Sequence, residues 1–287
     1  MAIKFKEVDY IYDEGMPYAF KALDNINLEI EEGKITAIIG ETGSGKSTMV
    51  EHLNALLIPS KGSVEINDHI IESNKKNRKL KELRRNVGLV FQFSEYQLFE
   101  ETVLKDVAFG PLNFHDDEQT AIARAKEALK LVHIDESLFD KNPLELSGGQ
   151  KRRVAIAGIL AMNPSVLVLD EPTAGLDPVG SDEMIDLFMS LNKELHKTII
   201  IVSHNNEIVY KFADNTILLN KGKLIYSGNT IEFFNNDKIA KEYSIKLPYV
   251  IEFKNKLIAK GFNLKENYRD IDSLVKGISK EVKRWII

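Results

Sequence analysis

A glycine-rich segment, residues 40–47, reads Gly-Glu-Thr-Gly-Ser-Gly-Lys-Ser and has the groups needed to hold polyphosphate. It fits the phosphate-loop pattern G-x-x-x-x-G-K-S/T, because an apolar run leads into it and a helix-like run follows. Its glycines let consecutive backbone N–H groups turn toward phosphate oxygens, at the positive end of that helix. Lys46 is predicted to reach the β- and γ-phosphates, and the Ser47 hydroxyl to ligate magnesium. The segment predicts nucleoside triphosphate binding through Gly40, Thr42, Gly43, Ser44, Gly45, Lys46, Ser47 and Thr48.

A second candidate group is a pair of carboxylates, Asp170 and Glu171, at the end of the apolar run 166–169. If this strand ends beside the phosphate loop, Asp170 can hold magnesium, usually through water. Glu171 can then polarise the attacking water as general base. Many buried strands end in an acid, so the pair is informative mainly because a phosphate loop precedes it. Together the two motifs predict triphosphate hydrolysis.

A third candidate is the segment Leu146-Ser147-Gly148-Gly149-Gln150, which precedes the helical run 151–157. Ser147 can cap this helix, while the two glycines leave backbone donors bare at its start, which makes a second anion site. One compact domain does not need two such sites for one triphosphate. The segment therefore either binds a nucleotide held by a partner subunit or is simply the capped start of a helix after a loop.

Strand-like and helix-like runs alternate through most of the chain, a pattern typical of a parallel α/β sheet. Strands are predicted within residues 3–12 and 26–39 and at 64–66, 87–91, 166–169, 199–202 and 217–219. From about Thr102 to Met162 the pattern is helical, notably at 118–132 and 150–162, with Pro111 and Pro143 as predicted breaks. A further helix is predicted at 183–191. We expect an α/β fold with a helical subdomain inserted between two strands.

The composition is that of an ordinary globular protein. The 287 residues include 38 basic and 43 acidic side chains, and the formal charge of −5 argues against nucleic acid as a partner. The absence of cysteine excludes disulfides and thiolate metal sites and is compatible with a reducing cytosol. No apolar run approaches the length of a membrane span. If the protein acts at a membrane, we expect a partner to supply the spanning part.

Taken together, these motifs resemble the ATPase subunits of ABC transporters over residues 3–236. The resemblance implies a P-loop NTPase fold of the ABC type that uses ATP and Mg²⁺, with Leu146–Gln150 as the family's signature motif. It also implies that Gln92 touches magnesium and senses a membrane partner. His204 resembles the switch histidine, which contacts the γ-phosphate and helps orient the attacking water.

The same resemblance implies a dimer. Ser147, Gly148, Gly149 and Gln150 would bind the ATP held by the opposite subunit, and two ATP molecules would be sandwiched head to tail. Asp177 resembles the residue that crosses this interface. Tyr12 resembles the aromatic residue that stacks on adenine, with Tyr10 as the second choice.

Within the family, the stretch Phe91–Val103 is most like the corresponding loop of energy-coupling factor (ECF) transporters. Residues 14–17 and 22–24 resemble the A-prime type of the two paralogous ATPases in that system. Ser94 stands where that branch commonly has proline. The resemblance implies a peripheral subunit on the cytoplasmic face of a prokaryotic membrane that drives uptake of vitamins or metal ions. Its partners would be a paralogous ATPase, or a second copy, with a transmembrane T subunit and a substrate-capturing S subunit.

The predicted organisation is an ATPase domain at residues 1–236, with a helical subdomain at about 92–162, and a small, mainly helical extension at 237–287. Amphipathic helices are predicted in this extension at 249–259 and 271–285. By its length and position, this extension resembles the family's C-terminal dimerisation domain. The alternatives are the ATPase of another ABC importer or exporter, a soluble ABC-type ATPase, or a nucleotide-binding regulator without turnover. Retention of Glu171 and His204 argues against the regulator.

Overall fold

The computed structural model describes residues 3–73, 75 and 80–285, and within them ten strands form two sheets. The strands are β1 (Ile3–Tyr12), β2 (Phe20–Ile30), β3 (Ile35–Ile39), β4 (Lys61–Ile66), β5 (His69–Glu72), β6 (Val87–Val90), β7 (Val166–Asp170), β8 (Thr198–Val202), β9 (Asn215–Asn220) and β10 (Lys223–Asn229). The helices are α1 (Lys46–Leu53), α2 (Leu80–Asn86), α3 (Val103–Asn113), α4 (Glu118–Leu131), α5 (Gly148–Leu160), α6 (Pro178–Leu195), α7 (Asn206–Phe212), α8 (Thr230–Phe234), α9 (Asp237–Glu242), α10 (Tyr249–Ala259) and α11 (Ile271–Trp285). Short 3₁₀ turns lie at Ser94–Gln97, Glu136–Leu138 and Pro143–Glu145.

The larger sheet has the strand order β10-β9-β3-β8-β7-β6. Its five strands from β9 to β6 are parallel, and β10 pairs antiparallel to β9. Strands β3 and β8 are buried along their whole length, which is why they read as unbroken apolar runs. Because parallel strands end at one edge, the loops that follow β3, β7 and β8 meet there.

The smaller sheet, in the order β2-β1-β4-β5, is antiparallel and covers one face of α1. Apolar side chains of β1 and β2, such as Val8 and Leu23, form one core with Met49 and Leu53 of α1 and Ile38 of β3. This packing fixes the helix that begins at the glycine-rich loop.

Helices α3, α4 and α5 lie in the chain between β6 and β7 and pack against one another. Buried residues such as Val107, Leu129 and Val154 join them to the core of the larger sheet. The predicted break at Pro111 is wrong, because Pro111 is buried inside α3. The helix ends within one turn of it, at Asn113, so the missing proline N–H disturbs only the last turn.

The C-terminal region is held to α7 by hydrogen bonds. The Arg269 guanidinium donates to the carbonyl oxygens of Tyr210 and Ala213 at 2.6 and 2.8 Å, and the Asn206 amide donates to the Lys246 carbonyl at 2.7 Å. The helices predicted at 249–259 and 271–285 are confirmed as α10 and α11. No helix in the described residues has both the length and the apolarity needed to cross a bilayer.

Candidate functional site

The glycine-rich loop joins β3 to α1, and its own packing requires glycine at two positions. Gly45 caps α1 with φ of 102°, and a Cβ there would lie 2.6 Å from the Ala22 carbonyl oxygen. Gly40 has φ of 147°, and a Cβ there would collide with the carbonyl oxygen of Leu219. A side chain at either position would be strained and would clash with backbone. The loop is thus shaped so that the first amides of α1, which have no partner within the helix, face an anion.

Lys46, the first residue of α1, folds back over this loop. Its Nζ donates to the carbonyl oxygens of Gly40 and Glu41 at 2.7 and 2.8 Å. Burial lowers the pKa of Lys46, and the negative charges of Glu171 and Asp170 oppose that shift. The ammonium group is therefore hydrogen-bonded to the loop and is stabilised electrostatically by the two carboxylates.

The two carboxylates stand at the carboxyl end of β7. Burial raises the pKa of Asp170, the neighbouring Glu171 raises it further, and Lys46 acts in the opposite direction. Glu171 follows in the left-handed region with φ of 49°, and its backbone N–H donates to the Val202 carbonyl at 3.0 Å. A partly buried pair of acids is stabilised by a cation, and oxygen ligands are those that Mg²⁺ prefers.

His204 follows β8 and reaches across to the end of β7. Its Nδ1 lies 2.9 Å from Glu171 Oε1, while the imidazole remains 77% exposed and the Glu171 side chain only 13%. The loop is held by Asn205, whose side chain caps α7. The ring is thus paired with Glu171 through Nδ1 while most of its surface stays open to the cavity.

These groups line one cavity of about 530 Å³. Its walls include most of the predicted site residues, namely Gly40, Thr42, Gly43, Gly45, Lys46, Ser47, Thr48, Gln92, Asp170, Glu171 and His204. Ser44 lies buried beneath the loop, and its hydroxyl has no hydrogen-bond partner among the described residues. The acidic Glu41 is exposed at the rim.

Phe20 contributes a phenyl ring to the wall of this cavity, and the sequence motifs did not indicate it. Tyr12 pairs with Phe20 across β1 and β2, and its hydroxyl lies 3.2 Å from Thr48 Oγ1, but it does not line the cavity wall. Phe20 is 58% exposed. The cross-strand register that brings Phe20 here depends on the turn between the strands, so spacing along the chain could not reveal it.

The signature segment lies outside this cavity. Ser147 and Gln150 form a capping box: Ser147 Oγ accepts from the Gln150 N–H at 3.3 Å, and Gln150 Oε1 accepts from the Ser147 N–H at 3.0 Å. Added Cβ atoms at Gly148 and Gly149 would meet none of the described residues within 4 Å. Asp177 is also outside the cavity, where its carboxylate caps α6 by accepting from the Gly180 N–H at 2.8 Å.

Comparison with known proteins agrees with this geometry. The family model described as ABC transporter matches residues 23–174. The chain is 48% identical to the energy-coupling factor transporter ATP-binding protein EcfA2 of Enterococcus faecalis, over 99% of this chain and 98% of that protein. It is 50% identical to the protein of the same name from Streptococcus pneumoniae, over 92% of this chain and 95% of that protein.

Two solved structures extend the likeness to the fold. CbiO1 from Clostridium perfringens, described as part of the ABC transporter complex CbiONQ, shares 40% identity with a TM-score of 0.72 over 88% of this chain and 98% of its own. The ATP-binding cassette MJ0796, solved as a dimer with ADP and phosphate, shares 34% identity with a TM-score of 0.70 over 79% of this chain and 98% of its own. The chain therefore belongs to the ABC transporter family, as an ATP-binding and ATP-hydrolysing subunit of the energy-coupling factor type.

Proposed function

We propose that this ATPase hydrolyses Mg²⁺-bound ATP in the cavity at the carboxyl edge of the larger sheet and passes the resulting motion to a membrane partner. The observation that carries the proposal is the meeting of Lys46, Asp170 and the Glu171–His204 pair around one cavity of about 530 Å³. Lys46 would exchange its two loop carbonyls for the β- and γ-phosphates of ATP.

The residues in the cavity suit a magnesium ion bound with the nucleotide. Ser47, Gln92 and Asp170 offer hydroxyl, amide and carboxylate oxygens along the same wall, and these are hard ligands of the kind Mg²⁺ takes. When bound, the ion would neutralise charge on the phosphates. Asp170, which burial and Glu171 make costly to ionise, would gain a compensating positive charge.

Glu171 is proposed as the general base. It would accept a proton from the water that attacks the γ-phosphorus, as the bond from that phosphorus to the leaving ADP oxygen breaks. His204, at 2.9 Å from Glu171, would orient both this carboxylate and the γ-phosphate. The ring would hold Glu171 through Nδ1 and present its exposed edge to the phosphate.

The signature segment is proposed to act on ATP bound to the opposite subunit, with Asp177 lying near the same seam. The open space over Gly148 and Gly149 supports this role, because no contact within the part of the chain that the structure describes requires glycine there. Glycine is also a poor helix former, so its use at the start of α5 needs another reason. A phosphate approaching from the other subunit supplies one, with Ser147 and Gln150 shaping the helix start through their capping box.

The membrane partners are proposed to be a T subunit that docks beside Gln92 and an S subunit that captures the solute, a vitamin or metal ion, on a prokaryotic membrane. This chain would lie on the cytoplasmic face with a paralogous ATPase, or a second copy, as its dimer partner. Support comes from exposed apolar side chains that follow Gln92 in the chain, with Phe93 against Tyr96, Phe99 against Phe109, and Leu112 one turn further along α3. Exposed apolar patches of this kind mark interaction sites.

The proposed division of the chain places the ATPase domain at residues 1–236, with its helical subdomain at about 92–162. Residues 237–287 would form a dimerisation extension. The exposed apolar side chains of α10 and α11, among them Tyr249, Phe253, Ile271 and Val275, fit that role.

The adenine ring is proposed to stack on an aromatic residue at the edge of the cavity. Tyr12 remains the candidate by resemblance, and Phe20 is added by its place in the wall. Comparing ATP affinity in Tyr12→Ala and Phe20→Ala separates them, because the stacking residue should lose affinity for ATP but not for inorganic triphosphate.

Substitution Glu171→Gln tests the proposed chemistry. The amide cannot take up the water's proton, so ATP binding should persist while phosphate release falls by at least the ~10²–10⁴-fold that a general base contributes. The variant should also accumulate as an ATP-bound dimer, measured by size-exclusion chromatography with light scattering.

The matched control is Glu194→Gln at the exposed end of α6, which should hydrolyse ATP like the parent. Undiminished phosphate release by Glu171→Gln would remove Glu171 from its role as base.

A further inference from the structure

Arg152 is a buried cation in the helix that follows the signature segment. It lies in the second turn of α5 and is 4% exposed. Arginine is almost never buried without partners, because an unpaired buried charge is costly. The hydrogen-bond partners of Arg152 therefore indicate its role.

Those partners belong to two loops of the proposed site. Nη2 donates to the Gln92 carbonyl and Nη1 donates to the Ala174 carbonyl, both at 2.5 Å. Nε also lies 3.7 Å from Glu95 Oε2, an atom with no hydrogen-bond partner among the described residues. We call residues 91–98 the Gln92 loop and residues 171–177 the Asp177 loop. One guanidinium thus joins the signature helix to both loops.

The chemistry of the contact suits arginine in particular. A guanidinium is a rigid planar fork that can donate from two nitrogens at fixed directions at once, whereas a lysine ammonium is a compact point charge on a flexible stem. Hydrogen bonds from a charged donor are also stronger than neutral ones. The fork fixes the distance between the two carbonyl oxygens, and therefore between the loops that carry them.

We propose that Arg152 is a positioning residue that makes α5, the Gln92 loop and the Asp177 loop move as one unit. The inference rests on the proposed roles of Gln92 at magnesium and the membrane partner and of Asp177 at the dimer seam. A displacement of the Gln92 loop by the membrane partner would be transmitted through this guanidinium to the signature helix and to the seam.

The neighbouring Arg153 offers a matched control, since it leaves α5 in another direction. It donates to the Val132 carbonyl at 3.2 Å and pairs with Glu183 at 2.5 Å, and neither partner lies in these two loops. The substitutions Arg152→Lys and Arg153→Lys each replace a guanidinium by an ammonium group on α5. They differ in the segments to which the side chain is hydrogen-bonded.

The test measures amide hydrogen exchange on the full-length chain without nucleotide, which needs no partner subunit. Arg152→Lys should raise exchange about tenfold in both loops, because a charged hydrogen bond is worth about 1.5–3 kcal/mol and about 1.4 kcal/mol is a factor of ten. Arg153→Lys should leave both loops within about twofold of the parent. In ATPase assays of the assembled transporter, Arg152→Lys should lower kcat about tenfold and leave KM for ATP within about twofold.

A second variant keeps the proposal testable if Arg152→Lys fails to fold. Glu95→Gln removes a charge in the Gln92 loop, and through Arg152 it should raise exchange about twofold in the Asp177 loop. A merely structural Arg152 would not transmit that change.

The proposal is overturned if Arg152→Lys leaves both loops as in the parent, or if Glu95→Gln leaves the Asp177 loop unchanged. Either result would leave the proposed hydrolysis intact, because that depends on the outcome for Glu171→Gln.

Discussion

The chain contains two glycine-rich segments that each begin a helix, and their surroundings are opposite. In the phosphate loop, Gly40 and Gly45 have positive φ, and a Cβ at either would run into backbone of the same chain. In the signature segment, Gly148 and Gly149 are helical and face open space. The shape of the first loop is therefore set by packing within its own chain. We propose that the second segment is completed by the ATP of the opposite subunit, at the seam of a dimer.

The helices that follow these two segments also differ in what their buried polar side chains contact. Helix α1 buries a neutral group, His52, whose Nδ1 lies 2.6 Å from the Thr48 carbonyl and whose ring packs edge-on against Tyr10. Helix α5 buries a charged group, Arg152, that is hydrogen-bonded to two loops. The first helix is anchored in a fixed core, and the second is attached to segments that move if the proposed cycle is correct.

The largest effect is expected from Lys46→Ala. Removing the cation leaves the phosphates of ATP facing Glu171 and Asp170 without compensation, and losing one partner of a buried charge pair costs about 2–5 kcal/mol. We expect ATP affinity of the isolated chain to fall by about thirty-fold or more, measured by isothermal titration calorimetry. Unchanged affinity would contradict the proposed contact between Lys46 and the phosphates of ATP.

Gly148→Asp should separate binding from hydrolysis. The new carboxylate projects into open space, so the isolated chain should bind ATP within about twofold of the parent. In the dimer it would face phosphates of the opposite ATP, and like charges would lower hydrolysis by about tenfold to a hundredfold. Reduced ATP binding by the isolated chain would show that the signature segment belongs to its own site instead.

Alanine at the two kinds of glycine should have opposite effects on the free energy of unfolding. Gly45→Ala puts a Cβ at φ of 102°, against the Ala22 carbonyl, and should lower stability by about 1–3 kcal/mol or more. In Gly149→Ala the added Cβ meets no described residue, and the substitution removes a poor helix former. It should therefore raise the free energy of unfolding by up to about 1 kcal/mol. Urea denaturation of both variants measures the difference, and equal destabilisation would erase the contrast between the segments.

The smallest effect concerns pH. Burial lowers the pKa of His52 from 6.5 to about 4. Between these values the unfolded chain binds a proton that the folded chain does not, so this histidine makes stability fall as pH falls. From pH 7 to 5.5 the parent should lose about 1 kcal/mol more than His52→Gln, measured by denaturation at each pH. If the free energy of unfolding of the two proteins changed equally with pH, the His52 imidazole would be exposed to solvent instead of buried.

Much of the fold could be predicted because its signals are local. The buried strands β3, β7 and β8 are continuous apolar runs, and α10 and α11 are amphipathic with the predicted limits. Strands β5 and β10 were missed because they are mixed in polarity and lie at the edges of their sheets, where pairing with a neighbouring strand defines them. Pro111 misled because its ring falls in the last turn of α3, so the hydrogen bond that proline cannot make is lost only at the end of the helix.

The sequence by itself determined the chemistry: a phosphate loop between strand and helix, two acids at the end of an apolar strand, and a capped glycine-rich helix start. These motifs are recognisable because backbone conformation and side-chain type are set within a few residues. Only the tertiary structure decided that Phe20 lines the cavity, that His204 pairs with Glu171, and that Arg152 joins two loops. Each of these depends on segments far apart in the chain, and their distances are fixed by strand register and core packing, which no local pattern encodes.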